Sequence, residues 1–243
     1  MSSTPSVRRR IYLLRHAAVS YFDEQGHPLD PRGVPLNANG LEQAAAAAHM
    51  LAPVPFDLAV CSGLPRTEQT ARMVLNGGQA ITLHCDERLK EIRAGRLREV
   101  PAEQRERTIA YAYDDADQPG ACFIGGETWS DFNARVILAW HEWLTRPEWS
   151  NLLMVAHDAV NRVILGHIGG SGLGGLKAFE QDPACINIIE TDHGPEGESR
   201  CLIRCINLAA YDPIRQQQRQ TVMEQVWNHF QPNAAQPPVP AEE

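Results

Sequence analysis

No apolar stretch in the 243-residue chain approaches the ~18 residues that a membrane-spanning helix needs, so no membrane partner is expected. A basic surplus is missing as well: 22 Lys and Arg stand against 30 Asp and Glu, a formal net charge of −8. Nucleic acids and anionic membrane surfaces select broad basic faces, so neither is expected as a partner. The six cysteines, at 61, 85, 122, 185, 201 and 205, include no CxxC pair. Cys201 and Cys205 share a strand face, but no histidine cluster accompanies them, and no metal is expected. Most of the six lie in apolar runs, which reads as buried free thiols in a reducing, cytoplasmic compartment. Repeats and clear domain boundaries are also lacking. Residues 1–9 read as a flexible lead, 10–230 as one folded domain, and the Pro/Ala/Gln-rich 231–243 as a disordered tail. Arg8-Arg9-Arg10 in the lead adjoin too short an apolar segment for a signal peptide.

What is present is an ordinary globular composition, 43% hydrophobic and 21% charged. Short strand-like runs at 11–14, 57–61, 81–85, 151–156, 185–191 and 201–207 alternate with helical ones for most of the length. Helices are predicted over the alanine-rich run after Asn39-Gly40, over 65–75 with Pro65 in its first turn, and over 159–168. A further helix over 127–145 carries Trp129, Phe132, Val136, Trp140 and Trp143 as one core-facing stripe. The run ending at Phe230 predicts a last amphipathic helix. The pattern implies an α/β fold: a three-layer α/β/α sandwich with a mostly parallel central sheet and an antiparallel hairpin, 185–207, at one edge. That edge is a plausible homodimer contact.

Three strand ends look alike. The first runs out at Arg15-His16. The second runs out at Cys61-Ser62, with Arg66 in the next helix, and the fourth at His157-Asp158. In parallel sheets the carboxyl ends of strands open into the ligand crevice. Two imidazoles, two guanidiniums and helix N-termini on that rim describe a phosphate pocket in an acidic protein. An imidazole with one free nitrogen is a nucleophile near neutral pH, and guanidiniums can supply the charge that phosphoryl transfer requires without a metal or cofactor. Ser62 reads as the cap of the 65–75 helix or as a phosphate contact. Asn161 and Arg162, one turn after His157, are weaker candidates for a substrate contact. The letters GSGLGG at 170–175 match GxGxxG, but they follow a helix rather than a strand, so they read as a glycine loop on the rim and not as a dinucleotide site.

RH at the first strand end, SGLPRTEQTA at 62–71, LKEIRAG at 89–95, GGETWSDFNAR at 125–135 and VAHDAVNR at 155–162 together resemble the histidine phosphatase superfamily, in its phosphoglycerate-mutase-like branch. The resemblance spans roughly residues 10–208. It implies that His16 is the nucleophile, that Arg15, Arg66 and His157 hold the phosphate, and that Glu91 is the proton donor. Two departures stand out: Ala17 replaces the usual glycine after the first His, and Asp158-Ala159 replaces the glycine pair after the second. The acid-phosphatase branch uses an Asp directly after that His, so Asp158 is a rival donor. The implied activity is hydrolysis of a small phosphomonoester. The alternatives are a phosphoglycerate mutase using the same phosphohistidine and a non-catalytic phospho-ligand module. Segments 17–37 and 96–124 are the expected pocket walls, with Arg93, Arg96 and Arg98 available for a second anionic group or merely solvated.

Overall fold

The run Ile11–Leu14 lies inside β1 (Arg9–Arg15), the centre of a six-stranded sheet. The other strands are β2 (Leu58–Cys61), β3 (Leu83–Cys85), β4 (Asn151–Ala156), β5 (Ile186–His193) and β6 (Ser199–Leu208), in the order β3-β2-β4-β1-β5-β6. β3, β2, β4 and β1 are parallel neighbours, while β5 runs against both β1 and β6. The reversed strand therefore sits one place in from the edge formed by β6. This computed structural model describes residues 8–23, 25, 27, 29–75, 81–193, 199–215 and 219–230. The expected tail, 231–243, lies outside them.

Successive residues of a strand face opposite ways, and the core divides accordingly. Ile11 and Leu13, with Leu152 and Met154, pack under α4 (Trp129–Thr145) and α5 (Asp158–Ile168). Tyr12 and Leu14, with Leu153 and Val155, pack toward α1 (Ala38–Leu51) and α2 (Pro65–Leu75). A short α3 (Arg105–Ala110) and the last helix, α6 (Val222–His229), complete the element order. Among the described residues no helix is long and apolar enough to cross a membrane.

Local chemistry sets the helix starts. Asn37 caps α1 by accepting the Gly40 N–H at 2.8 Å. Gly40 has no alternative there: a Cβ would lie 2.0 Å from the Ala18 carbonyl oxygen. Thr128 caps α4, whose stripe from Trp129 to Trp143 is buried as predicted. The last helix is shorter than the run that predicts it, because Thr221 and Glu224 form a capping box that starts α6 at Val222.

Two expectations need correction. Arg9 is part of the sheet rather than of a flexible lead: it is buried, donates to the Leu144 and Arg146 carbonyls at 2.6 and 2.7 Å, and stacks on Trp149. These carbonyls close the C-terminal end of α4, where a cation is favoured. Its neighbours Arg8 and Arg10 pair with Asp192 and Glu190. The glycine stretch 170–175 is also not a free loop. Gly172–Ala178 form a 3-10 turn packed on α5, and a Cβ on Gly166 would meet the Gly172 oxygen at 2.6 Å.

Candidate active site

Strand register brings the site together. Arg15 pairs with Ala156, and Cys61 with Val155, so β1, β2 and β4 finish within a residue of one another. His16, Ser62 and His157 then leave the sheet side by side, with neighbouring strands about 4.8 Å apart. The two imidazoles meet edge to face at 5.1 Å between ring centres.

His16 is buried, and its Nδ1 lies 2.8 Å from the Ala17 carbonyl oxygen. A carbonyl only accepts, so Nδ1 carries the proton and Nε2 keeps its lone pair. That nitrogen receives the Nε–H of Arg66 at 3.2 Å. Burial first, then Arg66 and Arg15, hold the His16 pKa well below the ordinary imidazole value of 6.5. His157 is likewise depressed by burial, by His16 and by the same guanidiniums.

A chain of hydroxyls sets the other imidazole. Thr67 donates to the Leu64 carbonyl at 2.8 Å and so accepts from Ser62 at 3.0 Å; Ser62 in turn accepts from His157 Nε2 at 2.8 Å. His157 Nδ1 is left facing Arg66, at 3.5 Å. Ser62 does take the Leu64 N–H at 3.4 Å, but its shorter bond orients His157, so its part is more than the helix cap favoured from sequence.

Arg66 touches both imidazoles and donates to the Pro31 carbonyl at 2.6 Å. Arg15 donates to the Gln181 carbonyl at 2.6 Å, while its buried Nε finds no acceptor among the described residues. Thr70, from the same motif as Arg66, accepts the Ala17 N–H at 3.1 Å and fixes the turn after His16.

Glu91 reaches this rim from the segment after β3. Its carboxylate accepts the N–H of Ile92 at 3.0 Å and of Ala159, in the first turn of α5, at 3.3 Å. Burial and then Asp158 raise its pKa above 4.5, against the pull of those N–H groups and Arg15. Arg135 clamps the segment by donating to the carbonyls of Arg88, Lys90 and Glu91, and is itself held by Glu127 at 2.8 Å. Glu127 and Arg135 both belong to the motif GGETWSDFNAR, whose residues do not announce this clamp by themselves. The E…R spacing across a helix N-terminus is its only local trace.

Asp158 faces the other way. One oxygen accepts from Arg162 Nε at 2.6 Å and the other from the Tyr113 hydroxyl at 3.1 Å. Arg162 is 2% exposed, stacks on Tyr113 and also donates to the Leu176 carbonyl. Asn161 is fully buried, takes the Arg15 N–H at 3.2 Å and donates to the His157 carbonyl at 3.3 Å. All three are bonded within the frame, and none of them lines the cavity beside His16. Asp158→Ala, which removes the shorter of Arg162's two ion pairs and leaves the one to Glu180 at 3.3 Å, is expected to cost about 1–3 kcal/mol, measured by denaturant unfolding. An unchanged midpoint would contradict the clamp.

A cavity of about 940 Å³ borders Arg15 and His16. Tyr21, Phe22, Leu29, Tyr211 and Phe230 give it apolar walls, and Phe22 meets Phe230 edge to face at 5.7 Å. Segment 17–37 thus contributes as expected. Segment 96–124 does not: Tyr111 and Tyr113 line a smaller cavity beside Arg162, and residues from 209 to 230 take the second wall instead. Arg93, Arg96 and Arg98 are exposed and border neither cavity; Arg93 and Arg96 pair with Glu127 and Glu99.

Known proteins are similar to this chain in sequence and in fold. An adenosylcobalamin/alpha-ribazole phosphatase of Escherichia coli (strain K12) is 28% identical over 189 residues, 74% of this chain and 89% of that protein. A probable phosphoglycerate mutase of Enterobacter sp. (strain 638) is 31% identical over 183 residues, 71% of this chain and 78% of that one. The crystal structure of the alpha-ribazole phosphatase from Shigella flexneri matches with a TM-score of 0.64 at 26% identity, covering 82% of this chain and 96% of the other. The family model of the histidine phosphatase superfamily (branch 1) matches residues 11–200, and the chain belongs to that superfamily.

Proposed function

We propose that this histidine phosphatase hydrolyses a phosphomonoester in two displacements at phosphorus, with His16 as the nucleophile. The observation that carries the reading is the state of His16: a neutral imidazole whose Nδ1–H is held by Ala17 and whose Nε2 lone pair meets Arg66. In the first displacement Nε2 bonds to phosphorus, the P–O bond to the alcohol breaks, and Glu91 passes its proton to the leaving oxygen. In the second, Glu91 takes a proton from water, the water oxygen bonds to phosphorus, and the P–N bond breaks to restore His16. Arg15 and Arg66 bind the equatorial oxygens as charge spreads over them, and His157 joins them when the bound phosphate dianion draws a proton onto its Nδ1. The unpartnered Nε of Arg15 supports this, since buried donors are rarely left without an acceptor. Glu91 suits the donor role better than Asp158, both of whose oxygens are engaged away from the site.

The organic part of the ester has room in the cavity beside Arg15. Its walls favour a bulky, uncharged group: among the described residues its one lining cation besides Arg15 is Arg215, already paired with Asp182 at 2.9 Å, while Asp23 and Asp212 add negative charge. That balance disfavours a substrate with a second anionic group. The similarity to a probable phosphoglycerate mutase keeps the mutase reading in view. Both are tested by assaying the chain in excess chelator with 4-nitrophenyl phosphate and, separately, for exchange between phosphoglycerates. Steady release of phosphate from the aryl ester, inhibited by added phosphate, is expected. Phosphoglycerate exchange without hydrolysis would favour the mutase.

A further inference from the structure

β2 and β3 end on a pair of cysteines that the proposed chemistry does not use. Cys61 and Cys85 are register partners across the parallel β2–β3 ladder, and their sulfurs lie 3.9 Å apart. Both are free thiols. Adjacent strands hold Cα atoms about 4.8 Å apart, inside the roughly 4.4–6.8 Å window of disulfides. The two differ in environment: Cys61 is fully buried, whereas Cys85 is exposed. Gly63, at φ +79, leaves room beside Cys85: a Cβ there would lie 3.4 Å from the Cβ of Cys85. β3 is a three-residue edge strand, so its end can move the short way that bonding needs. The sequence reads most of the six cysteines as buried free thiols. In the structure only Cys61 and Cys185 are buried, and Cys61 is the one with a second thiol against it.

We propose that Cys61 and Cys85 form a reversible dithiol–disulfide site, oxidised by hydroperoxides. The exposed Cys85 thiolate attacks one peroxide oxygen; the O–O bond breaks, leaving Cys85 as a sulfenic acid and releasing the other oxygen as water or alcohol. The Cys61 sulfur then bonds to the Cys85 sulfur, the S–O bond breaks, and the departing hydroxide takes the Cys61 proton as water. Two electrons pass from the sulfurs to the peroxide. The order of attack follows from the environments, since burial pushes the Cys61 thiol up to about 12 and leaves it the resolving partner. The bond would join the β2 end, next to Ser62 and its hydrogen bond to His157, to the sheet edge.

The test is peptide mapping of the full chain after hydrogen peroxide treatment and alkylation under denaturing conditions. A Cys61–Cys85 linked peptide, two hydrogens lighter than its parts and lost on reduction, is the expected product. Cys85→Ser, active toward 4-nitrophenyl phosphate as a check on folding, should give no link and leave Cys61 alkylable. Conversion of Cys85 to sulfinic acid with Cys61 free, or linkage among the other four cysteines instead, would overturn the proposal. Because the readout is mass, the result does not depend on which ester the enzyme hydrolyses.

Discussion

His16→Ala is expected to lower phosphomonoester turnover by on the order of 10⁴-fold or more, with the fold intact. The size follows from the chemistry: without Nε2 the first displacement has no internal nucleophile, and the remaining guanidiniums only bind and orient the ester. The fold should survive because the imidazole is held neutral against two cations, its bond to Ala17 is local, and Arg66 keeps the Pro31 carbonyl when it loses Nε2. Binding of inorganic phosphate, followed by calorimetry, should persist, since Arg15, Arg66 and His157 remain. Turnover within tenfold of wild type would remove His16 from the nucleophile role.

Glu91→Gln should separate substrates by leaving group. An alkoxide needs a proton as it departs, so alkyl phosphates are expected to slow by roughly 10²–10⁴-fold. A 4-nitrophenolate leaves without one. Its first displacement should stay near the wild-type rate, while the second, which needs Glu91 to take a proton from water, slows. The result is a burst of one nitrophenolate per enzyme and then a slow phase. The pH profile carries the same assignment. Activity requires Nε2 of His16 unprotonated, so it falls on acidification, and well below 6.5 because that pKa is depressed. The first displacement of an alkyl ester also requires Glu91 protonated, so kcat/KM for that ester falls as pH rises through that raised pKa. In Glu91→Gln the basic limb should vanish and the acidic limb remain. Equal slowing of alkyl and aryl esters without a burst would contradict the assignment.

Much of the fold was legible because it rests on short-range pattern. The apolar run at 11–14, Pro65 at the head of a helix and the aromatic stripe from Trp129 each carry their structure locally. The converging strand ends were legible for a related reason: in a parallel sheet, polar residues directly after apolar strands reach one rim. What could not be read depends on partners far along the chain. Arg9 looked like part of a loose basic lead because its acceptors, at Leu144 and Arg146, are brought close only by folding. Asp158 looked like a rival acid because its clamp comes partly from Tyr113, 45 residues earlier. The second cavity wall is illegible for the same reason, since Phe230, just after α6, returns from the far end of the sequence to meet Phe22. Ser62 was half legible: its position before a helix suggests a cap, and only the neighbouring strand supplies His157.

The most direct test of the account follows from the stalled intermediate. Glu91→Gln mixed with 4-nitrophenyl phosphate, quenched in base and digested, should carry one phosphoryl group on the peptide containing His16, in an amount matching the burst. A phosphoryl group on His157 or any other residue, or a burst with no modified peptide, would contradict a phosphohistidine at His16.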